Sequence, residues 1–242
     1  MTRQILALWT VPRSTSTAFE RMMRERRDHT VIHEPFSIHY YFGAGKRSDR
    51  FDEVRPRSDP HEILGVLDAA ARAGRVFVKD MAYHVRDLID PDFLDRFVHT
   101  FLIRDPASTL PSLAEQWPDF SDEETGYGAL AELVEATSAR GSDPVIIDSD
   151  DLRRDPEATV AAYCDAVAIP YLPDALEWAP GMPREWELWG DWHRDVATSR
   201  GFAAPASRPA VPLEGRATRA AYDRCVPIYE RLRELRLRPI SR

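Results

Sequence analysis

The chain has 242 residues, 43% apolar and 30% charged, a composition that fits a single α/β domain with a sizeable core. Its formal net charge of −8 argues against a broad nucleic-acid surface, while leaving room for a local cluster of donors that holds a small anion. No apolar run approaches the roughly 20 residues that span a bilayer. Two cysteines, Cys164 and Cys225, give neither a disulfide framework nor a metal spacing and read as packing residues.

In chain order, Gln4–Trp9 is the first buried-strand candidate; it is too short for a signal-peptide core, so a cytoplasmic location is expected. A helix follows over Ser16–Arg26, then a short strand over Thr30–His33. Pro60–Ala73 reads as a helix with Pro in its first turn and Gly74 beyond its end. Arg75–Lys79 and Phe97–Ile103 are the third and fourth strands. Asp122–Arg140 reads as a helix stopped by Gly141, Pro144–Asp148 as a fifth strand, and Pro156–Val167 as another amphipathic helix. Residues 180–213 are rich in Pro and Trp and lack periodicity, which suggests an irregular lid or acceptor loop. Glu214–Leu237 is a final charged helix within the C-terminal stretch 214–242. Strands alternating with helices predict one α/β domain over 1–242, with a central, mainly parallel sheet flanked by helices. Ligands in such folds bind beyond the carboxyl ends of the strands, where each motif below falls.

Two motifs carry the chemistry. Between the first strand and helix stand Arg13-Ser14-Thr15-Ser16-Thr17, where a helix N-terminus offers unpaired N–H groups, the hydroxyls add donors and Arg13 adds a charged fork. This composition suits a phosphate cradle, although Ser or Thr simply capping the helix accounts for part of it. A Walker A loop with its Lys is absent, which counts against ATP or GTP hydrolysis. After the fourth strand, Arg104-Asp-Pro precedes Ser112 by eight residues. Arg104 and Ser112 either converge on a second phosphate or serve locally, pairing with Asp105 and capping a helix.

The loop Pro12-Arg-Ser-Thr-Ser-Thr17, together with Arg104-Asp-Pro and Ser112, resembles the sulfotransferases that use 3′-phosphoadenosine 5′-phosphosulfate (PAPS), and is similar to their bacterial small-molecule type. The likeness runs over about residues 4–170 and includes the segment after the fifth strand, Ile146 to Leu152. It implies a P-loop nucleotide-kinase-like sulfotransferase fold. It implies that Arg13, Ser14, Thr15, Ser16 and Thr17 hold the 5′-phosphosulfate, and that Arg104 and Ser112 hold the 3′-phosphate. Thr198 to Phe202 resembles the family's late basic segment, giving Arg200 a role at the 3′-phosphate. Many members have Gly where Thr15 stands; Thr would be strained at positive φ, so the loop is expected to take a somewhat different path.

Sulfuryl transfer needs in-line geometry, stabilisation of the leaving side and a base for the acceptor's proton. Glu34, after the second strand, resembles a base used by some members and is the first choice. His84, after the third, is the second. The animal-type His is replaced by Met81, and Lys79 looks like the family's strand-three Lys that stabilises the leaving oxygen. Of the other histidines, only His33 and His193 are candidates to line an acceptor pocket, and Trp178, Trp186, Trp189 and Trp192 either line such a pocket, suited to an apolar or aromatic small molecule, or pack as core under a loop. PAPS is thus the expected donor, a hydroxyl or amine the acceptor, with no metal. The alternatives are a phosphotransferase on a related fold and a non-catalytic nucleotide-binding relative.

Overall fold

In the computed structural model, which describes residues 5–204 and 214–238, the first apolar run forms strand β1 (Ile5–Thr10) and is buried along its whole length. Gln4, residues 205–213 of the expected lid and residues 239–242 of the expected C-terminal stretch lie outside the described residues. The remaining elements are helix α1 (Ser16–Glu25), β2 (Thr30–His33), α2 (Ser37–Phe42), α3 (Pro60–Ala73), β3 (Val76–Met81), α4 (Pro91–Arg96), β4 (Phe97–Ile103), α5 (Pro106–Gln116), α6 (Tyr127–Ser138), β5 (Val145–Asp148), α7 (Ser149–Arg154), α8 (Pro156–Ala166), α9 (Gly190–Thr198) and α10 (Arg216–Glu234).

Among the described residues the strands form one all-parallel sheet in the order β2-β3-β1-β4-β5. β1 is central, with Trp9 level with Asp80 of β3 on one side and with Phe101 of β4 on the other. Alternation along β1 divides the core. Ile5, Ala7 and Trp9 pack with α2, α3, α6 and α10 on one face, and Leu6 and Leu8 pack with α1 and α8 on the other. Both faces are covered, which is why the strands read as continuous apolar runs. The chain passes from β1 out to β2, back to β3, then across β1 to β4. The crevice at the carboxyl end of β1 is therefore a switch point between oppositely directed crossovers.

Four sequence expectations change here. The helix expected over Asp122–Arg140 begins only at Tyr127. A 3₁₀ turn (Glu123–Thr125) precedes it, and Gly126 at φ 80 sits where a Cβ would lie 3.1 Å from Pro12 Cδ and 3.3 Å from Val11 Cα. Close approach to the β1 loop, invisible in the local pattern, breaks the helix. Residues 180–213 are not irregular throughout, because α9 lies within them behind a 3₁₀ turn over Arg184–Trp189. Its inward residues Trp192, His193 and Val196 follow a helical step masked by the surrounding Trp and Pro. The final helix starts at Arg216 and ends at Glu234, short of the expected Leu237 at one end and Glu214 at the other. Thr15, expected to divert the loop from positive φ, instead adopts φ 72. Cys164 and Cys225 are buried free thiols, as their packing role requires. No helix among the described residues is long and apolar enough to cross a membrane.

Candidate active site

The segments that follow all five strands converge on a cavity of about 1280 Å³ at the carboxyl edge of the sheet, with α9 closing one side. Its wall has two chemically distinct parts, one beyond β1, β4 and β5 and the other beyond β2 and β3.

The first part is cationic. Arg13 (φ 61) and Thr15 both take left-handed backbone, which costs on the order of 1–2 kcal/mol per non-glycine residue and bends the loop over the start of α1. Thr15 is the N-cap, yet its hydroxyl lies 2.7 Å from Ser149 Oγ and caps nothing, so no side chain takes the first N–H groups of α1. The Ser14 hydroxyl donates to Val11 O at 2.7 Å and closes the loop on itself. Arg13 Nε donates to Ser112 Oγ at 2.8 Å, and its guanidinium lies 5.6 Å from the Trp192 ring centre. Arg104 Nη1 donates to Arg13 O at 2.7 Å, while its Nε is buried with no partner among the described residues. Tyr127 OH donates to Arg104 O at 2.6 Å and fixes the strand end. Burial disfavours both guanidinium charges and lowers their pKa. For Arg13 the carboxylates of Asp195 and Glu115 oppose this; for Arg104 the charge of Arg153 adds to it and Asp150 opposes it. Arg153, at the end of α7, lines the same wall.

The second part is internally neutralised. Glu34 (φ 39) is buried and paired through Oε1 with Lys79 Nζ, which is fully buried. Burial would raise the Glu34 carboxyl, but Lys79, His33, His193 and His84 together hold it at about 2. His33 Nδ1 lies 2.6 Å from Glu20 Oε2, and Glu20 Oε1 accepts from Trp186 Nε1 at 2.9 Å and from Arg24 Nε at 3.0 Å. Burial would likewise raise Glu20, but His33, Lys79 and Arg24 pull it below the usual carboxylate range.

Asp80 organises the residue after β3. Its Oδ2 accepts from Phe36 N at 2.7 Å and its Oδ1 from Met81 N at 2.8 Å, with His84 Nδ1 2.6 Å from Oδ1. A carboxylate accepts only, so His84 donates from Nδ1, and this bond sets the orientation of the ring. His84 Nε2 is buried, has no partner among the described residues, and belongs to a residue of the cavity wall. His193 lines the cavity with Nδ1 3.2 Å from Thr17 Oγ1, and burial next to Lys79 drops its pKa to about 3. Beside His84 stand Tyr41 and Tyr83, hydroxyl to hydroxyl at 3.0 Å, both phenols pushed well above their ordinary value by burial. Trp117, Trp189 and Trp192 complete an aromatic wall, Trp117 and Trp192 edge to face at 4.6 Å.

Of the residues singled out from sequence, Arg13, Ser14, Thr15, Ser16, Thr17, Glu34, His84, Arg104 and Ser112 all line this cavity. Lys79 is buried and is joined to the cavity through Glu34. The Arg200 side chain is exposed and stands apart from the wall, which Ser199 and Gly201 reach instead. Trp189 and Trp192 reach the cavity. Trp178, bonded to Ser199 Oγ, and Trp186, bonded to Glu20, are core residues. Sequence reasoning missed Arg153 and Asp80. A basic residue in the first helix after β5 and a carboxylate four residues before a His were the available signals.

The chain matches the family described as sulfotransferase domain over residues 3–234. It is 30% identical over 238 residues to branched-chain-amino-acid aminotransferase-like protein 1 of Arabidopsis thaliana and 31% identical to the corresponding protein 2, in each case over 95% of its own length. It spans only about two fifths of those relatives, 42% and 41%. In fold it is similar to the sulfotransferase domain from the Synechococcus PCC 7002 olefin synthase, with a TM-score of 0.55, 14% identity, and coverage of 95% of this chain and 94% of that one. With the match running over nearly its whole length, the chain belongs to the sulfotransferase domain family.

Proposed function

We propose that the chain transfers a sulfuryl group from PAPS to a hydroxyl or amine of a small-molecule acceptor. The observation that carries this reading is the Arg13–Arg104 pair, two half-buried guanidiniums at one rim, with the Arg104 Nε buried and without a partner among the described residues and a third arginine, Arg153, nearby. Two half-buried cations side by side, with no carboxylate bonded to either among the described residues, favour an anion between them. A nucleotide phosphorylated at both ends fits that demand, and the uncapped start of α1 adds a second anion position.

PAPS, when bound, supplies sulfur with a phosphate leaving group. In the transfer a bond forms from sulfur to the acceptor oxygen or nitrogen while the bond from sulfur to the phosphate oxygen breaks, and the acceptor's proton passes to a base. Arg13 and the N–H groups of α1 stabilise the charge that grows on the leaving side. For the base, Glu34 was the sequence choice, but a carboxyl held at about 2 by Lys79 is a weak proton acceptor at neutral pH. The Asp80–His84 pair suits the task better: Asp80 fixes the tautomer, and His84 Nε2 faces the cavity wall unengaged. Glu34 and Lys79 then act as positioning residues that keep this side of the cavity neutral. The Tyr41, Trp117, Trp189 and Trp192 wall beside His84 favours an acceptor with an apolar or aromatic body.

Isothermal titration tests the donor: 3′,5′-adenosine bisphosphate is expected to bind and ATP to bind far more weakly. The reverse order would favour a phosphotransferase. Incubation with PAPS and a panel of phenols, alcohols and amines, read as mass shifts, identifies the acceptor. Donor binding with no turnover on any acceptor would favour a non-catalytic relative.

A further inference from the structure

We propose that His33, Glu34 and His193 form a binding site for a zinc-class divalent cation, one that competes with Lys79 for the Glu34 carboxylate. The three ligand atoms lie within 4.8 Å of one another, with His33 Nε2 3.9 Å from Glu34 Oε1. The two imidazole rings meet edge to face at 4.9 Å.

What marks these imidazoles as ligands is how they are held from behind. His33 is anchored through Nδ1 to the fully buried Glu20 carboxylate, itself bonded to Trp186 and Arg24. His193 is anchored through Nδ1 to the Thr17 hydroxyl. Each ring is thus held at Nδ1, and both Nε2 atoms are buried with no partner among the described residues. A carboxylate or hydroxyl on one ring nitrogen with the other free is the arrangement that orients metal-ligating histidines. Leaving two buried ring nitrogens unsatisfied otherwise costs about 1–3 kcal/mol each. Two imidazoles and a carboxylate suit Zn²⁺ and its neighbours Co²⁺ and Ni²⁺, with the open cavity supplying water as a fourth ligand. The widest ligand separation exceeds the roughly 3.4 Å edge of a tetrahedral site, so binding draws His193, on α9, toward the sheet. Sequence spacing gives no hint of the site, because His193 joins His33 and Glu34 only through the fold, and no metal was expected.

Lys79 is the antagonist. Its ammonium holds Glu34, and a divalent ion at the same carboxylate would repel it. Metal binding itself does not depend on the donor or acceptor assignment.

The test is a titration of the purified full chain with Zn²⁺ by calorimetry and with Co²⁺ by visible absorption. One equivalent is expected to bind, with the intense d–d bands of a four-coordinate site. His193→Ala should weaken binding about 100-fold and Thr17→Val about tenfold, each checked for folding by circular dichroism. Lys79→Met, by removing the competing charge, should tighten it at least tenfold. No saturable binding, or binding that His193→Ala leaves unchanged, overturns the proposal. If Lys79→Met does not fold, the His193 and Thr17 variants decide it.

Discussion

The two halves of the cavity wall solve opposite problems. Beyond β1, β4 and β5, Arg13 and Arg104 stand half-buried beside each other with, among the described residues, the Arg104 Nε unpartnered and no carboxylate bonded to either. Beyond β2 and β3, the polar side chains are bonded to one another: Lys79 to Glu34, His33 to Glu20 and His84 to Asp80. One half is incomplete until an anion arrives. The other is complete on its own and spends its order on aiming ring nitrogens. A charged side chain therefore means different things on the two sides, and substitutions should separate them.

The largest effect is expected at the completed half. His84→Ala should lower kcat about 1000-fold with little change in donor affinity, as for loss of a general base, measured by steady-state kinetics. Asp80→Asn should fall in the same direction with a changed pH profile. Glu34→Ala leaves Lys79 buried and unpaired and should destabilise the protein by about 3 kcal/mol in chemical denaturation. Arg104→Met is the sharpest contrast. Affinity for 3′,5′-adenosine bisphosphate should drop about 100-fold while the Tm of the free protein does not fall, because the group removed is a half-buried, incompletely bonded cation. A fall in Tm as large as that of Glu34→Ala would erase the distinction between the halves.

A smaller effect concerns His99, on β4 away from the cavity. Its Nδ1 accepts from Trp9 Nε1 at 2.9 Å, and burial holds its pKa at about 4 against an ordinary 6.5. The unfolded chain binds that proton first as pH falls, so stability is lost below about 6.5 and the loss is complete near 4. At about 1.4 kcal/mol per pH unit this amounts to roughly 2 kcal/mol by pH 5. His99→Gln should flatten that slope in a series of melts. The smallest effect is at Thr15. Thr15→Gly relieves left-handed strain but loses the Ser149 contact and adds backbone freedom to the unfolded chain, so stability should change by less than about 0.5 kcal/mol.

How legible the molecule was depends on the range of the forces involved. Strands buried on both faces announce themselves as apolar runs, and the expected Arg75–Lys79 and Phe97–Ile103 correspond to β3 and β4 with ends shifted by two residues at most. Residues immediately after strands, such as Arg13, Arg104, Glu34 and His84, were legible as site candidates because the fold class brings strand ends together. What stayed hidden depends on tertiary contact. Gly126 breaks a helix because Val11 and Pro12 need its empty side. α5 runs through Pro111, a residue that local propensity would use as a stop. His193 reaches His33 only because α9 folds back across α1, and Arg153 takes a place on the wall where the sequence pointed to Arg200.

The contact between Arg13 and Trp192 gives the protein an optical handle. The guanidinium rests on the indole and its Nη1 donates to Trp192 O at 3.4 Å, so a phosphate that claims Arg13 pulls a quencher and a charge away from the ring. Intrinsic fluorescence should therefore change on adding 3′,5′-adenosine bisphosphate, and Trp192→Phe should abolish that signal while leaving the affinity within a few-fold. An unlabelled sample in a cuvette would then report donor occupancy in real time, with no coupled assay and before any acceptor is known.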